Sequence, residues 1–92
     1  MRRQAKTDGN QKEIVKGIKK AGYSVWSTAE IGNGFPDIVA AGTYCNWLME
    51  IKRPKEDLTP DQVKFHATWQ GPVAVVFSLK EALDLLGRKP RP

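Results

Sequence analysis

The sequence predicts an α/β domain with the element order αβββαβα, a mixed four-stranded sheet flanked by helices. At its centre is the stretch 34–52, GFPDIVAAGTYCNWLMEIK, in which runs of apolar and β-branched residues flank Gly42-Thr43. Glycine in first place suits the type II′ turn of a two-residue hairpin. Further on, Thr59-Pro60-Asp61-Gln62 opens a helix, Gly71-Pro72 stops it, and the apolar run 73–77 follows. A helix joining two strands is the crossover of a parallel pair, so three antiparallel strands and a fourth parallel one form a single sheet.

Taken in order, residues 1–7 are polar and basic and read as a loose tail. Asp8, with Gln11 three positions later, is the signature of a capping box opening a helix to about residue 21. Ile14, Ile18 and Ala21 recur at helical spacing and should face the core. Lys12, Lys16, Lys19 and Lys20 form the opposite stripe, either a solvated face or a rail for phosphates. Gly17 should leave open space beside Glu13. Gly22 ends the helix, and residues 23–28 alternate as a first strand. The turn 29–34, with Gly32-Asn33-Gly34, then delivers Phe35-Pro36-Asp37, where proline is acceptable as the first residue of a strand.

The expected turn sets a register. With Gly42 and Thr43 at the tip, Ala41 pairs with Tyr44, Val39 with Asn46 and Asp37 with Leu48. Strand side chains alternate between faces, so Asp37, Leu48, Glu50 and Lys52 share one side. Ile38, Ala40, Cys45, Trp47, Met49 and Ile51 make a hydrophobic wall on the other. Asp37 and Glu50 become diagonal neighbours, roughly 7 to 8 Å apart at the backbone. Two carboxylates that close repel each other, and a divalent cation between them removes the conflict. Mg²⁺ suits the pair because it takes hard oxygens and is often held by one or two carboxylates plus substrate phosphates.

Beyond the hairpin, residues 53–57 form a charged loop. The helix from Thr59 runs to about residue 70 and places Gln62, Phe65 and Trp69 along one side. The run 73–77 reads as a strand buried on both faces. Ser78-Leu79-Lys80-Glu81 repeats the capping-box signature and starts a helix to about residue 86, which Gly87 stops. Trp26, Trp47 and Trp69 are assigned to the core, Cys45 is expected as a reduced thiol packed in a strand, and His66 as structural or solvent-facing.

Ninety-two residues make a single domain, 1–92, with short basic tails at 1–7 and 87–92. A chain this small buries roughly 60 to 65% of the surface it exposes when unfolded, so a partner subunit would help. Fifteen Lys and Arg against ten acids give a net charge of +5, with Arg2, Arg3, Lys6, Arg88, Lys89 and Arg91 near the ends. That balance favours a polyanion such as nucleic acid. One cysteine excludes an internal disulfide and a Cys-rich zinc site. No apolar run is long enough to span a bilayer and no secretory segment is evident, so the expected setting is cytoplasmic, with no membrane partner.

An αβββαβ core with Asp37 after a proline, Glu50-Ile51-Lys52 on the next strand, and a helix opening Leu58-Thr59-Pro60-Asp61-Gln62 resembles the PD-(D/E)XK nuclease superfamily, whose core is restriction-endonuclease-like. Within it the chain is similar to the virus-type replication-repair nuclease (VRR-NUC) family, in its minimal stand-alone phage or bacterial form. The resemblance covers residues 9–79. Glu13 matches the first-helix acid, Asp37 the motif aspartate, Glu50 and Lys52 the acid-x-lysine pair, and Gln62 the glutamine of the following helix.

The resemblance implies a Mg²⁺- or Mn²⁺-dependent endodeoxyribonuclease. Asp37, Glu50 and the backbone carbonyl of Ile51 would hold the metal, and Glu13 would join a second metal or hold its waters. Lys52, flanked by carboxylates that favour its ammonium form, would clamp the nucleophile and phosphate electrostatically. Gln62 would orient Lys52 or the scissile phosphate, or merely close the capping box on Thr59. Lys12, Lys16, Arg53 and Lys55 are the expected DNA contacts. The implied substrate is branched DNA, with Holliday-junction-resolvase-like action in DNA repair, and the implied assembly is a homodimer that offers two sites to opposed strands. Two other readings are a non-catalytic basic DNA-binding module on a nuclease fold, and a nuclease subunit active only in a larger complex.

Overall fold

A computed structural model describes residues 9–90. The elements are α1 (Gly9–Lys20), β1 (Val25–Ser27), β2 (Ile38–Ala41), β3 (Asn46–Ile51), α2 (Pro60–Thr68), β4 (Val73–Val76) and α3 (Leu79–Leu86). The expected order, αβββαβα, is therefore present. Asp8, expected to cap α1, and Arg2, Arg3, Lys6 and Arg91 lie outside the described residues. Among those described, no helix is long and apolar enough to cross a membrane.

The helical period places Ile14 and Ile18 in the core, and α1 packs against α3 on one face of the sheet. Gly17 has a packing role rather than the expected open space: a Cβ there would run into the Leu79 side chain of α3. Its bareness lets the two helices approach. α1 ends in a left-handed Gly22 (φ 99°), with Tyr23 N–H donating to the Ile18 carbonyl and Gly22 N–H to that of Lys19. This satisfies carbonyls that the last turn would otherwise leave unpaired.

The sheet order is β1-β2-β3-β4, antiparallel through the first three strands and parallel between β3 and β4. One expected feature, the two-residue hairpin, is corrected. Ala41 pairs with Asn46, Val39 with Leu48 and Ile38 with Met49, so residues 42–45 form the connection. Gly42 donates to the Cys45 carbonyl at 2.9 Å, Thr43 donates to the Leu86 carbonyl at 2.8 Å, and Gly42 does not have the positive φ that a type II′ turn requires. Cys45 thus sits in the connection, half-buried and unpaired in any disulfide. The slip is two residues, which leaves every side chain on its expected face. The wall of Ile38, Ala40, Trp47, Met49 and Ile51 stands, with Val76, Ala82 and Leu86 completing the core.

Four further expectations give way. β1 is only three residues long and alternates as Val25 buried, Trp26 exposed. Trp26 projects to the side that neither α1 nor α3 covers, so it is 77% exposed rather than in the core, and Trp69 is 44% exposed. β4 is an edge strand, with Val73, Ala74 and Val75 only half-buried, because α3 covers one of its faces and little covers the other. α2 stops at Thr68 rather than residue 70, where Trp69 turns to extended backbone.

Candidate active site

At the ends of β2 and β3, the first turn of α1, the start of α2 and the loop before β2 meet around a cavity of about 390 Å³ whose lining includes Gln11, Asp37, Glu50, Ile51, Lys52, Glu56 and Gln62. The observed register, continued by one residue beyond Ile38 and Met49, sets Asp37 beside Glu50 rather than diagonal to it. Here β2 leaves the ladder: Asp37 N–H donates to the Met49 carbonyl, and the Asp37 carboxylate accepts the Ile51 N–H at 2.8 Å. Thr28 holds this corner, its N–H donating to the Asp37 carbonyl and its hydroxyl to that of Pro36. The loop 28–34 closes one wall, and its left-handed Gly34 (φ 84°) lies so near the Asp61 main chain that a Cβ would clash.

Glu50 is 2% exposed and Lys52 6% exposed. Lys52 Nζ lies 3.9 Å from Glu50 Oε2 and 3.7 Å from Glu56 Oε2. Glu50 Oε2 also accepts from Gln62 Nε2 at 3.1 Å. Glu50 Oε1, by contrast, is buried with no protein donor in reach. Burial, then the charge of Asp37 and a hydrogen bond to Asp37 that requires Glu50 to keep its proton, push the Glu50 pKa up to about 8; Lys52 works against the rise and Glu56 adds to it.

Gln62 serves two purposes at once. Its Oε1 accepts the Thr59 N–H at 2.9 Å while Thr59 Oγ1 accepts from Gln62 N–H, which is the full capping box. Its Nε2 is then left to hold Glu50. α2 has no fully buried residue; an aromatic cluster anchors it, with Phe65 edge-on to Phe35 at 5.2 Å and stacked on Trp69 at 5.0 Å. Gln62→Glu keeps the capping acceptor but replaces the donor with a further carboxylate. It is expected to destabilise the metal-free protein by about 1.5 to 3 kcal/mol, since a hydrogen bond to a buried charged group contributes about that much, and to lower any activity of the site roughly tenfold or more. Thermal melts beside turnover assays check this.

Asp37, Glu50, Lys52 and Gln62 therefore converge as expected, whereas Glu13 does not. It is exposed and absent from the cavity lining, because the helical phase that buries Ile14 and Ile18 turns Glu13 away. Gln11, three residues before Ile14 and on its face, takes that place, 3% exposed and donating to Ser27 Oγ at 3.3 Å. Glu56 is the other residue the sequence did not single out; it lies in the turn where it accepts the Arg53 N–H. Lys12, Lys16, Arg53 and Lys55 are all exposed, outside the carboxylate cavity. His66 is half-buried, burial lowers its pKa, and its ring packs beside Phe65.

Among the described residues no group of three or more His, Cys, Asp and Glu side chains converges to hold a metal. Two carboxylates do converge, and Mg²⁺ is commonly held by no more than that, together with waters and substrate oxygens. The unsatisfied Glu50 Oε1 facing a second carboxylate is what a hard cation would occupy. Ile51 buries its side chain in the core on the opposite face, so its contribution to the cavity is main chain. The donor set, all oxygen, fits a divalent hard cation. No family model matches the sequence, and no curated protein and no solved structure matches the chain.

Proposed function

We propose that this chain is a Mg²⁺- or Mn²⁺-dependent endonuclease that hydrolyses DNA phosphodiester bonds. The observation that carries the reading is the buried Glu50, whose Oε1 accepts no protein hydrogen bond, paired with a half-buried Asp37 and beside a buried Lys52 in a cavity open to solvent. A structural role explains this poorly: a buried glutamate oxygen left without a donor beside a second carboxylate costs free energy, and an apolar pair would be more stable there.

Asp37, Glu50 and the main chain at Ile51 would hold the cation. When bound, it supplies Lewis acidity toward water and the phosphoryl oxygens. The chain's own groups do the rest. The Ile51 N–H fixes Asp37, and Gln62 fixes Glu50. Lys52, steadied between Glu50 and Glu56, presents an ammonium that stabilises the charge growing on the phosphate as water attacks phosphorus and the 3′ oxygen departs. Exposed Lys12, Lys16, Arg53 and Lys55 offer cations to the flanking backbone. The resemblance to stand-alone VRR-NUC nucleases supports branched DNA as the substrate and a homodimer as the working assembly.

The test is incubation of the purified protein with duplex, flap and four-way-junction DNA. Cleavage is expected with Mg²⁺ or Mn²⁺ and none with EDTA. Failure to cut all three with either ion would refute the reading and leave a basic DNA-binding module.

A further inference from the structure

We infer that Trp26 is a base-stacking platform that selects DNA with unpaired nucleotides next to the scissile phosphate, an inference that rests on the nuclease reading above. The indole is 77% exposed and joins Ile31 in one exposed apolar patch, the kind of surface feature that marks an interaction site. Its position follows from register. Trp26 pairs with Val39 and Val39 with Leu48, so all three project to the side that carries Asp37 and Glu50. Neighbouring strands lie about 4.8 Å apart and alternate residues about 6.7 Å apart, which puts the Trp26 backbone roughly 8 Å from that of Asp37. That distance is on the order of one nucleotide step.

The surroundings favour a nucleic acid as occupant. Ile31, 55% exposed, lies with Trp26 in a hollow bounded by Ser27, Thr28 and Glu30. Residues of the same loop, Ala29, Gly32 and Gly34, line the carboxylate cavity, so hollow and cavity share a wall. Round the free edge of β1, Ser27 also borders a groove with Lys12, Lys16 and Lys19, and Gln11 joins that groove to the cavity. A strand with its phosphates toward these lysines and one base laid over Trp26 would meet cations on its charged side and an aromatic face on its apolar side. An intact duplex keeps its base faces stacked on one another and has none to offer, so the platform acts only on unpaired or splayed nucleotides.

The test measures binding in EDTA, where no cleavage occurs. Wild-type protein, Trp26→Ala and Trp26→Phe are titrated into a labelled 15-nucleotide single strand, a fork and a blunt duplex, with anisotropy as the readout. Truncating an aromatic platform costs about 1 to 3 kcal/mol per base, so Trp26→Ala should weaken strand and fork binding roughly 5- to 100-fold while leaving duplex binding within about twofold. Trp26→Phe should recover most of the loss. Equal weakening on all three DNAs, or on none, would overturn the inference. So would conversion of a dimer to a monomer by Trp26→Ala in light scattering, which would make this face a contact between copies. Cleavage assays in Mg²⁺ separate the two readings: a wild type that binds with this selectivity but never cuts removes the nuclease and keeps the platform, and a wild type that cuts indifferently to Trp26 does the reverse.

Discussion

Asp37→Asn and Lys52→Ala are each expected to reduce Mg²⁺-dependent cleavage by about three orders of magnitude, yet to move stability in opposite directions. The shared loss follows from the magnitudes: charge stabilisation by a metal or an oriented cation is worth several kcal/mol at the transition state, and each 1.36 kcal/mol is a factor of ten. The stability effects differ because the two residues stand on opposite sides of the same imbalance. Asn at position 37 retains an oxygen to accept the Ile51 N–H but withdraws the charge that opposes Glu50, so the metal-free protein should melt higher at pH 8. Ala at position 52 leaves Glu50 buried without its nearest cation, which should cost about 3 kcal/mol at pH 8. At pH 6 Glu50 holds its proton, so the same substitution should cost less. Melts at both pH values beside single-turnover cleavage decide the matter; if both variants lost stability alike, the carboxylate pair would not be the strained element.

What the sequence disclosed depended on which property each element rests on. Strand parity was legible, because any turn that keeps Asp37 and Glu50 on one face keeps the hydrophobic wall on the other. Turn length was not. A two-residue and a four-residue connection give the same alternation, and the choice lies in a tertiary bond from Thr43 to the Leu86 carbonyl of α3. The phase of α1 was readable from Ile14 and Ile18, and it already pointed to Gln11 as the polar residue on the buried face; Glu13 was matched to the first-helix acid by resemblance, and a match of residue type says nothing about direction. Trp26 and β4 fail for one common reason. Apolar character marks what can be buried, whereas burial requires a covering element, and the helices over this sheet do not reach the Trp26 side of β1 or both faces of β4. Gln62 was ambiguous between cap and site because a primary amide has an oxygen for one purpose and a nitrogen for the other.

The metal-free protein should lose stability as pH rises from about 5 to about 8, and a divalent cation should restore it. A glutamate in an unfolded chain ionises near pH 4.5, whereas in the fold Glu50 keeps its proton until about pH 8. Between those values the folded state binds one proton more than the unfolded state. Stability therefore falls with increasing pH across this window and levels off above it, by several kcal/mol in all. The proton belongs to the Asp37–Glu50 pair as a unit, so removing the ionisable group at either position should flatten the slope. Glu50→Gln should abolish it. A cation held by the pair must displace that proton, which sets a second expectation: affinity for Mg²⁺ should rise about tenfold per pH unit below pH 8 and then plateau, with one proton released per ion. Calorimetry in two buffers of different ionisation enthalpy counts the released proton, and melts with and without Mg²⁺ at pH 6 and 8 read the stability. A pH-independent Mg²⁺ affinity, or a slope that persists in Glu50→Gln, would place the cation and the proton somewhere other than between these two carboxylates.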